Sequence, residues 1–294
     1  MLIHIGFHKT ATSWMQQRWY PRHPQLAVPV DYWDIVERLV FPDPLHYDAD
    51  ATRAWFDAHA ASGRTVVLSA ERLSGTPHAG GYDRAEIAAR IAATFPDAHV
   101  WIVVREQVGM IASLWRQYVF EGGRLPLERY VRGVVPELKP SFRFEHLDYA
   151  PLVERYRSLL GADRVLVTTY EDFRSDPQPT LDRLCAFLDI EPLAAGGDER
   201  TLVNRGLSDR SARVLRSCNA LSRPDRMHEE PFVDLRLRGP VARVLRKIDR
   251  AGTPWSRPTG VEARVAELVG DRYVEPNRDL AEMLGTDLGA LGYR

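Results

Sequence analysis

The segment Ile3-His-Ile-Gly-Phe-His-Lys-Thr-Ala-Thr-Ser-Trp14 lies near the start of this 294-residue chain and decides its fold. Its first four residues alternate apolar with polar or small side chains, which is typical of a short buried strand. A turn follows up to Lys9, and a helix is predicted from Thr10 to about Tyr20, where Pro21 ends it. A strand, a tight loop and a helix start together direct free backbone N–H groups and a helix dipole toward one point, which favours an anion.

The loop differs from the P-loop of ordinary kinases and ATPases. That motif has Gly directly before its Lys, whereas His8 holds this position here. A kinase also needs Mg²⁺ ligands, typically an Asp at the end of a buried strand. Here Arg105 and Glu71 follow predicted strands instead. The segment therefore predicts a site for a nucleotide phosphate, with Lys9 as its cation, but no ordinary kinase or ATPase.

A second predicted strand ends in an arginine. Residues 100–104, Val-Trp-Ile-Val-Val, are a continuous apolar run and predict a central parallel strand. Arg105 follows directly, and Ser113 lies on the next predicted helix, over residues 106–120. An arginine offers a planar fork to a phosphate, and a hydroxyl adds a hydrogen bond. Because ligands of open α/β sheets bind outside the carboxyl ends of the strands, the two sites are expected to lie together. Without the first loop, Arg105 could be explained by a salt bridge at the end of the strand, which is the alternative to phosphate binding.

Strands and helices alternate along most of the chain. Further strands are predicted at 65–69 and 165–170, and further helices at 50–62, 83–95, 149–160 and 179–188. This pattern predicts an α/β protein with a three-layer, P-loop-like fold, in which a mostly parallel central sheet has helices on both faces. We expect a single domain over residues 1–294, with a core at 1–220 and a helical extension at 221–294.

The two phosphate segments resemble those of sulfotransferases that use 3′-phosphoadenosine 5′-phosphosulfate (PAPS). Residues 8–14 are similar to the family pattern Pro-Lys-(Ser/Thr)-Gly-Thr-(Thr/Ser)-Trp, with His8 before the Lys, as in many bacterial members, and with Ala11 in place of the usual Gly. If this position needs a positive φ angle, alanine strains it by roughly 1 kcal/mol. The spacing of Arg105 and Ser113 resembles the family's 3′-phosphate site. The end of the chain is similar to that of bacterial sulfotransferases that modify sugars and small metabolites.

The resemblance implies how the donor would be bound. The residues concerned are Lys9, Thr10, Ala11, Thr12, Ser13, Trp14, Arg105, Ser113, Arg205 and Gly206. Lys9 would neutralise charge on the phosphosulfate bridge, and the loop N–H and hydroxyl groups would hold the 5′-phosphate. Trp14 would stack near adenine. Arg205 and Gly206 would fold over the 3′-phosphate, although a plain loop before a helix is the alternative for these two residues.

Two residues are candidates for the general base. Glu71 follows a predicted strand, where a carboxylate beside an anion site can deprotonate an acceptor hydroxyl. The resemblance to glycan-modifying sulfotransferases implies the same role. Alternatively, Glu71 pairs with Arg72 or Arg105, or caps a helix. His8 adjoins the loop lysine and has an ordinary pKa suited to proton transfer at neutral pH, but a hydrogen bond that braces the loop is an alternative role for it.

The composition is compatible with an enzyme, and the resemblance implies a small-molecule or glycan acceptor. The chain has 39 Lys and Arg against 40 Asp and Glu, a balance that argues against a general nucleic-acid binder. No apolar run approaches the length of a membrane span, and the first residues are already a strand, so we expect no signal peptide and a cytoplasmic location. Abundant Arg and Ala hint at a bacterial origin. No cluster with ligand spacing lies near either loop, so no metal is expected.

The sequence therefore predicts a PAPS-dependent sulfotransferase. It would transfer a sulfuryl group in line to a hydroxyl of a sugar or small metabolite and release 3′-phosphoadenosine 5′-phosphate (PAP). The alternatives are a P-loop kinase-like phosphotransferase of unusual loop sequence, and a nucleotide-binding protein of the same fold without catalysis.

Overall fold

The computed structural model describes residues 1–60, 63–133, 141–196, 206–222, 238–252 and 254–294. A five-stranded parallel sheet lies at its centre. The strands are β1 (Leu2–Gly6), β2 (Leu26–Ala27), β3 (Thr65–Ser69), β4 (His99–Val104) and β5 (Val165–Thr169). Their spatial order is β2-β3-β1-β4-β5, and each neighbouring pair is parallel. The predicted α/β fold with its parallel central sheet is confirmed.

The α-helices connect these strands and follow the last of them. They are α1 (Thr12–Trp14), α2 (Tyr32–Leu39), α3 (Ala49–His59), α4 (Arg84–Thr94), α5 (Gln107–Phe120), α6 (Leu127–Val131), α7 (Ala150–Leu160), α8 (Tyr170–Ser175), α9 (Pro177–Leu188), α10 (Asp209–Ser222), α11 (Arg238–Arg250), α12 (Val261–Val269) and α13 (Val274–Leu284). None of the helices in the described ranges is both long and apolar enough to span a bilayer.

The sheet has an apolar layer on each face. Side chains alternate between the two sides of a strand. On β4, Val100 and Ile102 belong to one apolar cluster, and Trp101 and Val103 belong to the other. Both faces of the central strands are therefore buried, which explains why these strands are apolar without interruption.

The first helix is shorter and less regular than predicted. It begins at Thr12 rather than Thr10, because Lys9 and Ala11 have left-handed backbone angles that a helix cannot include. A π-helical turn over Met15–Trp19 and a 3₁₀ turn over Tyr20–Arg22 then continue the same direction. Pro21 therefore lies inside the last turn instead of ending the helix before it.

Gly6, at the end of β1, leaves room for two threonine hydroxyls. A Cβ atom at this position would lie 2.2 Å from Thr12 Oγ1 and 3.0 Å from Thr10 Oγ1. We expect Gly6→Ala to lower the free energy of unfolding by about 1–3 kcal/mol, the usual cost of overpacking, measured by urea denaturation.

Two further variants isolate the steric cause. Thr12→Ala in the Gly6→Ala background removes the nearest atom and should recover part of the loss. Gly239→Ala, where nothing lies within 4 Å of the added Cβ, should cost no stability. If the stability lost in the double variant equals the sum of the losses of Gly6→Ala and Thr12→Ala measured alone, the clash with Thr12 is not the cause.

Candidate active site

The loop between β1 and α1 presents a row of backbone N–H groups. Lys9 and Ala11 have φ angles of 68° and 66°. Such turns direct successive N–H groups into one concavity that suits an anion. Within the described ranges, the N–H groups of residues 8–13 donate to no acceptor. The loop can therefore surround a phosphate with backbone donors.

The hydroxyl residues of the loop differ in their surroundings. Thr10 Oγ1 donates a hydrogen bond of 2.5 Å to Phe7 O, which closes the turn. Thr12 Oγ1 is buried and has no partner in the described part of the chain, while Ser13 is partly exposed. Thr10 thus braces the loop, while the hydroxyls of Thr12 and Ser13 make no hydrogen bond in the described part of the chain.

Trp14 is mainly a core residue. Its side chain is only 7% exposed, and its ring meets Phe173 edge to face with the centroids 5.3 Å apart. Most of the indole surface is therefore already used in packing. A contact between Trp14 and adenine stays a prediction, and only the exposed edge of the ring is open to it.

Arg105 joins the two predicted phosphate segments. Its Nη1 donates a hydrogen bond of 3.0 Å to Lys9 O, and its guanidinium carbon lies 4.7 Å from the centre of the Tyr170 ring. Its own carbonyl accepts a hydrogen bond of 2.6 Å from Tyr149 Oη. Arg105 makes no ion pair in the described part of the chain, so the salt bridge considered for this residue is not formed there.

Ser113 lies on α5, two helical turns beyond Arg105. The carboxylate of Glu106 caps the start of this helix by accepting from the N–H groups of Val108 and Gly109, at 2.6 and 2.8 Å. Gly109 and Ser113 are four residues apart and share one face of the helix. Ser113 is partly exposed, so a ligand on that face can reach its hydroxyl.

Lys9 and Glu71 are partly buried and carry opposite charges that act on each other. Burial lowers the pKa of Lys9, and the negative charges of Glu121 and Glu71 partly counteract this effect. Burial raises the pKa of Glu71, and the charge of Lys9 opposes that shift. The alternative partner Arg72 is engaged elsewhere, because it pairs with Asp83. Glu71 opens a 3₁₀ turn, Glu71–Ser74, directly after β3.

His8 is held neutral by its surroundings. Burial lowers its pKa to about 3, and the positive charges of His78, Lys9 and Arg72 add to the effect. Its Nδ1 is buried and makes no hydrogen bond in the described part of the chain. The alternative role of His8, a hydrogen bond that braces the loop, is therefore not observed at this atom.

Sequence patterns did not indicate two further residues near the loop, Glu121 and His78. Glu121, at the end of α5, affects the pKa of Lys9 more than Glu71 does. Its Oε2 lies 3.6 Å from Nε2 of His78, whose Nδ1 lies 2.8 Å from the hydroxyl of Tyr130. No local sequence pattern marks these residues, because only the folded chain brings them together.

The late loop predicted to cover the 3′-phosphate is only partly described. Arg205 lies outside the described residues. Gly206 is exposed, three residues before the start of α10, and nothing lies within 4 Å of the position of its missing Cβ. The predicted roles of both residues stay predictions.

The comparisons with known proteins agree with this fold. The model of the sulfotransferase family matches residues 3–194, and the chain belongs to this family. A sulfotransferase from Alicyclobacillus acidocaldarius has a similar structure, with a TM-score of 0.57 at 17% identity, and the match covers 99% of this chain and 97% of that one. This likeness shows the shared fold. A comparison with curated proteins gives no match.

Two other solved structures are more distant. The sulfotransferase domain from the curacin biosynthetic pathway has a TM-score of 0.38 at 15% identity, covering 92% of this chain and 96% of its own. Mouse sulfotransferase SULT7A1 complexed with PAP also has a TM-score of 0.38, at 14% identity, covering 90% of this chain and 88% of its own.

Ala11 holds a strained backbone conformation that glycine would relieve. Ala11→Gly is expected to raise the free energy of unfolding by up to about 1 kcal/mol, because glycine adopts positive φ without a Cβ penalty. The greater freedom of glycine in the unfolded chain offsets part of this gain. The matched control Ala58→Gly, on an exposed position of α3, should instead lose about 1 kcal/mol. Thermal unfolding measures both, and a loss at position 11 would contradict the strain.

Proposed function

We propose that this protein transfers a sulfuryl group from PAPS to a hydroxyl group of a sugar or small metabolite. Membership of the family makes the chain a sulfotransferase, and the donor and the acceptor class are the proposal. The observation that carries it is the hydrogen bond from Arg105 to Lys9 O, at 3.0 Å, which joins two sets of anion-binding groups into one site. A donor with phosphates on both the 3′ and the 5′ oxygen of its ribose requires such a pair of sites.

The donor would be held by groups that this chain leaves available. The loop N–H groups of residues 8–13 and the hydroxyls of Thr12 and Ser13 would bind the 5′-phosphate. Arg105 and Ser113 would bind the 3′-phosphate, and Arg205 and Gly206 would close over it. Since these groups come from both ends of the described core and from the loop before α10, we also propose that residues 1–294 form one domain.

The chemistry divides between Lys9 and Glu71. PAPS supplies the sulfuryl group: a bond forms between sulfur and the acceptor oxygen, while the bond between sulfur and the bridging oxygen breaks. The leaving PAP keeps the electron pair of that bond. Lys9 would stabilise the charge that develops on the bridging oxygen. Glu71 would accept the proton of the acceptor hydroxyl.

The pKa directions favour Glu71 over His8 as the base. A stronger base has a conjugate acid of higher pKa, and burial raises the pKa of Glu71. Burial lowers the pKa of His8 to about 3, so the neutral imidazole binds a proton only weakly. His8 is therefore better suited to shaping the loop than to accepting the proton.

The surroundings of Lys9 support a polar acceptor. Glu121 places a carboxylate near the lysine, and His78 places an imidazole 3.6 Å from that carboxylate. The rings of Tyr118 and Tyr130 lie behind them, 5.7 and 5.8 Å from the His78 ring. Polar groups set among aromatic rings suit a sugar or another molecule with several hydroxyls.

Two other functions make different demands on the same site. A kinase-like phosphotransferase would bind ATP at least as tightly as PAP and would transfer phosphate. A nucleotide-binding protein without catalysis would bind PAP but would not modify any hydroxyl compound. Mass spectrometry of an acceptor library incubated with PAPS separates these outcomes by the mass that the product gains.

The first functional prediction concerns donor selectivity. PAP should bind at least tenfold more tightly than AMP or ATP, because the loss of a charge-assisted phosphate contact costs on the order of 1.5–3 kcal/mol. Arg105→Ala should remove most of this preference, as calorimetry would show. Equal affinity of the native protein for PAP and AMP would rule out PAPS as the donor.

The role of Lys9 is tested by kinetics. Lys9→Ala should chiefly lower kcat, by roughly 10²–10³-fold, the usual effect of removing one group that stabilises transition-state charge. The Kd of PAP should change much less. A Lys9→Ala enzyme with near-normal turnover would show that another group carries this charge.

The third functional prediction assigns the proton. Glu71→Gln should fold normally, bind PAP as before and lose about 10²–10⁴ in kcat on an aliphatic hydroxyl. In the native enzyme, kcat should fall as the pH drops through the pKa of Glu71, which lies above its ordinary value of 4.5. The base works only when ionised, so the Gln variant should lack this acidic limb.

His8→Ala is the comparison for this assignment. A base with the pKa of His8, about 3, would place the acidic limb near that pH. If His8→Ala abolishes turnover while Glu71→Gln stays within a few fold of the native rate, the base is His8.

A further inference from the structure

A cavity of about 380 Å³ opens beside the guanidinium group of Arg105. One wall is the start of α5, at Gly109, and a second is α8, with Tyr170 and Arg174. The third wall comes from the other end of the chain, from α12 and from residues 291–294. The cavity therefore lies on the α5 face that carries Ser113 one turn further along, and the C-terminal part of the chain closes it.

The glutamate carboxylates around this cavity are all engaged by other groups. The carboxylate of Glu106 caps α5 by accepting from two backbone N–H groups. Glu171 accepts from Glu106 N and from the hydroxyl of Tyr293, both at 3.0 Å. Glu262 lies 3.3 Å from Nη2 of Arg116. Their negative charges are thus already partly compensated.

The arginines of the cavity are not neutralised in the same way. Arg174 and Arg294 are exposed, line the cavity and form no ion pair in the described parts of the chain. Arg105 uses one N–H on a neutral carbonyl. Three guanidinium groups around one cavity, without carboxylates bound to them, form a site for an anion with several oxygens.

The segment that carries Arg294 is fixed to both elements that would hold the donor. Tyr293 Oη donates to Glu171 at the start of α8. Asn277 Nδ2 donates to Arg294 O at 2.6 Å, and Asn277 Oδ1 accepts from Gln107 Nε2, also at 2.6 Å, at the start of α5. The position of Arg294 is therefore set by folded structure, although its side chain is exposed.

We propose that Arg174 and Arg294 complete the binding site for the 3′-phosphate of the donor, together with Arg105. The proposal rests on the proposed function, because it takes the donor to be PAPS. It adds α8 and residues 291–294 to the donor site and makes them determinants of the preference for a 3′-phosphorylated nucleotide. A phosphate dianion in the cavity would meet charge from three sides.

The test compares PAP with AMP by calorimetry on the full chain. Arg294→Ala should weaken PAP binding by about five- to thirtyfold, which is less than the loss of a buried charge-assisted contact because the side chain is exposed. AMP binding should not change, because AMP lacks the 3′-phosphate. Arg294→Lys keeps the charge without the fork and should recover part of the loss. Arg174→Ala should behave as Arg294→Ala does.

The matched control is Arg278→Ala. Arg278 is an exposed arginine of α13 that pairs with Glu275 and does not line the cavity, so PAP binding should stay at the native value. If both Arg294→Ala and Arg174→Ala leave PAP binding unchanged, or weaken PAP and AMP equally, the inference is wrong. The proposed function is tested separately by Arg105→Ala. If this variant binds PAP as the native protein does, Arg105 does not bind the 3′-phosphate, and the proposed donor site is wrong.

Discussion

The parallel pairing of β1 with β4 is the constraint on which the site depends. Gly6 pairs with Val103, and the N–H of the next residue, Phe7, donates to Val103 O at 3.2 Å, so the two strands end at the same level. The loop after β1 therefore meets the arginine that follows β4. A hydrogen bond from a charged donor contributes about 1.5–3 kcal/mol. Here it holds the carbonyl of Lys9, a residue whose left-handed backbone is unfavourable by itself.

The same arrangement places opposite charges near each other. Burial moves the pKa of Lys9 down and that of Glu71 up, and each charge partly restores the ionised form of the other. Glu121 opposes the shift of Lys9 more strongly than Glu71 does, so Lys9 keeps an acidic neighbour when Glu71 is replaced. Because both side chains are partly shielded from water, Lys9 interacts more strongly with a nearby anion than a fully exposed lysine would. The raised pKa also makes the Glu71 carboxylate a better proton acceptor than an ordinary glutamate.

The sequence predicted those parts of the structure that local patterns encode. The strands other than β2 were found, because strands buried on both faces are apolar runs; β2 has only two residues, too few for any period. The start of α1 was misplaced because no local signal indicates the positive φ of Lys9, and only the family's usual glycine pointed to that of Ala11. Lys9, Arg105 and Glu71 were expected to meet because each follows a parallel strand. Glu121, at the end of α5, comes near Lys9 only in the folded chain, and its spacing in the sequence does not predict this.

Helix α5 explains why the C-terminal helices belong to the site. It is apolar on most of its circumference, so it needs cover on more than one side. Helices α10 and α12 supply part of this cover: Asn219 donates to Val119 O at 2.8 Å, and Arg116 bridges Asp209 and Glu262. At its other end, Gln107 and Asn277 exchange two buried hydrogen bonds, a satisfied polar contact that fixes the start of the helix. Since Arg105 lies two residues before this contact, the C-terminal helices hold in place the same backbone that carries the arginine to Lys9.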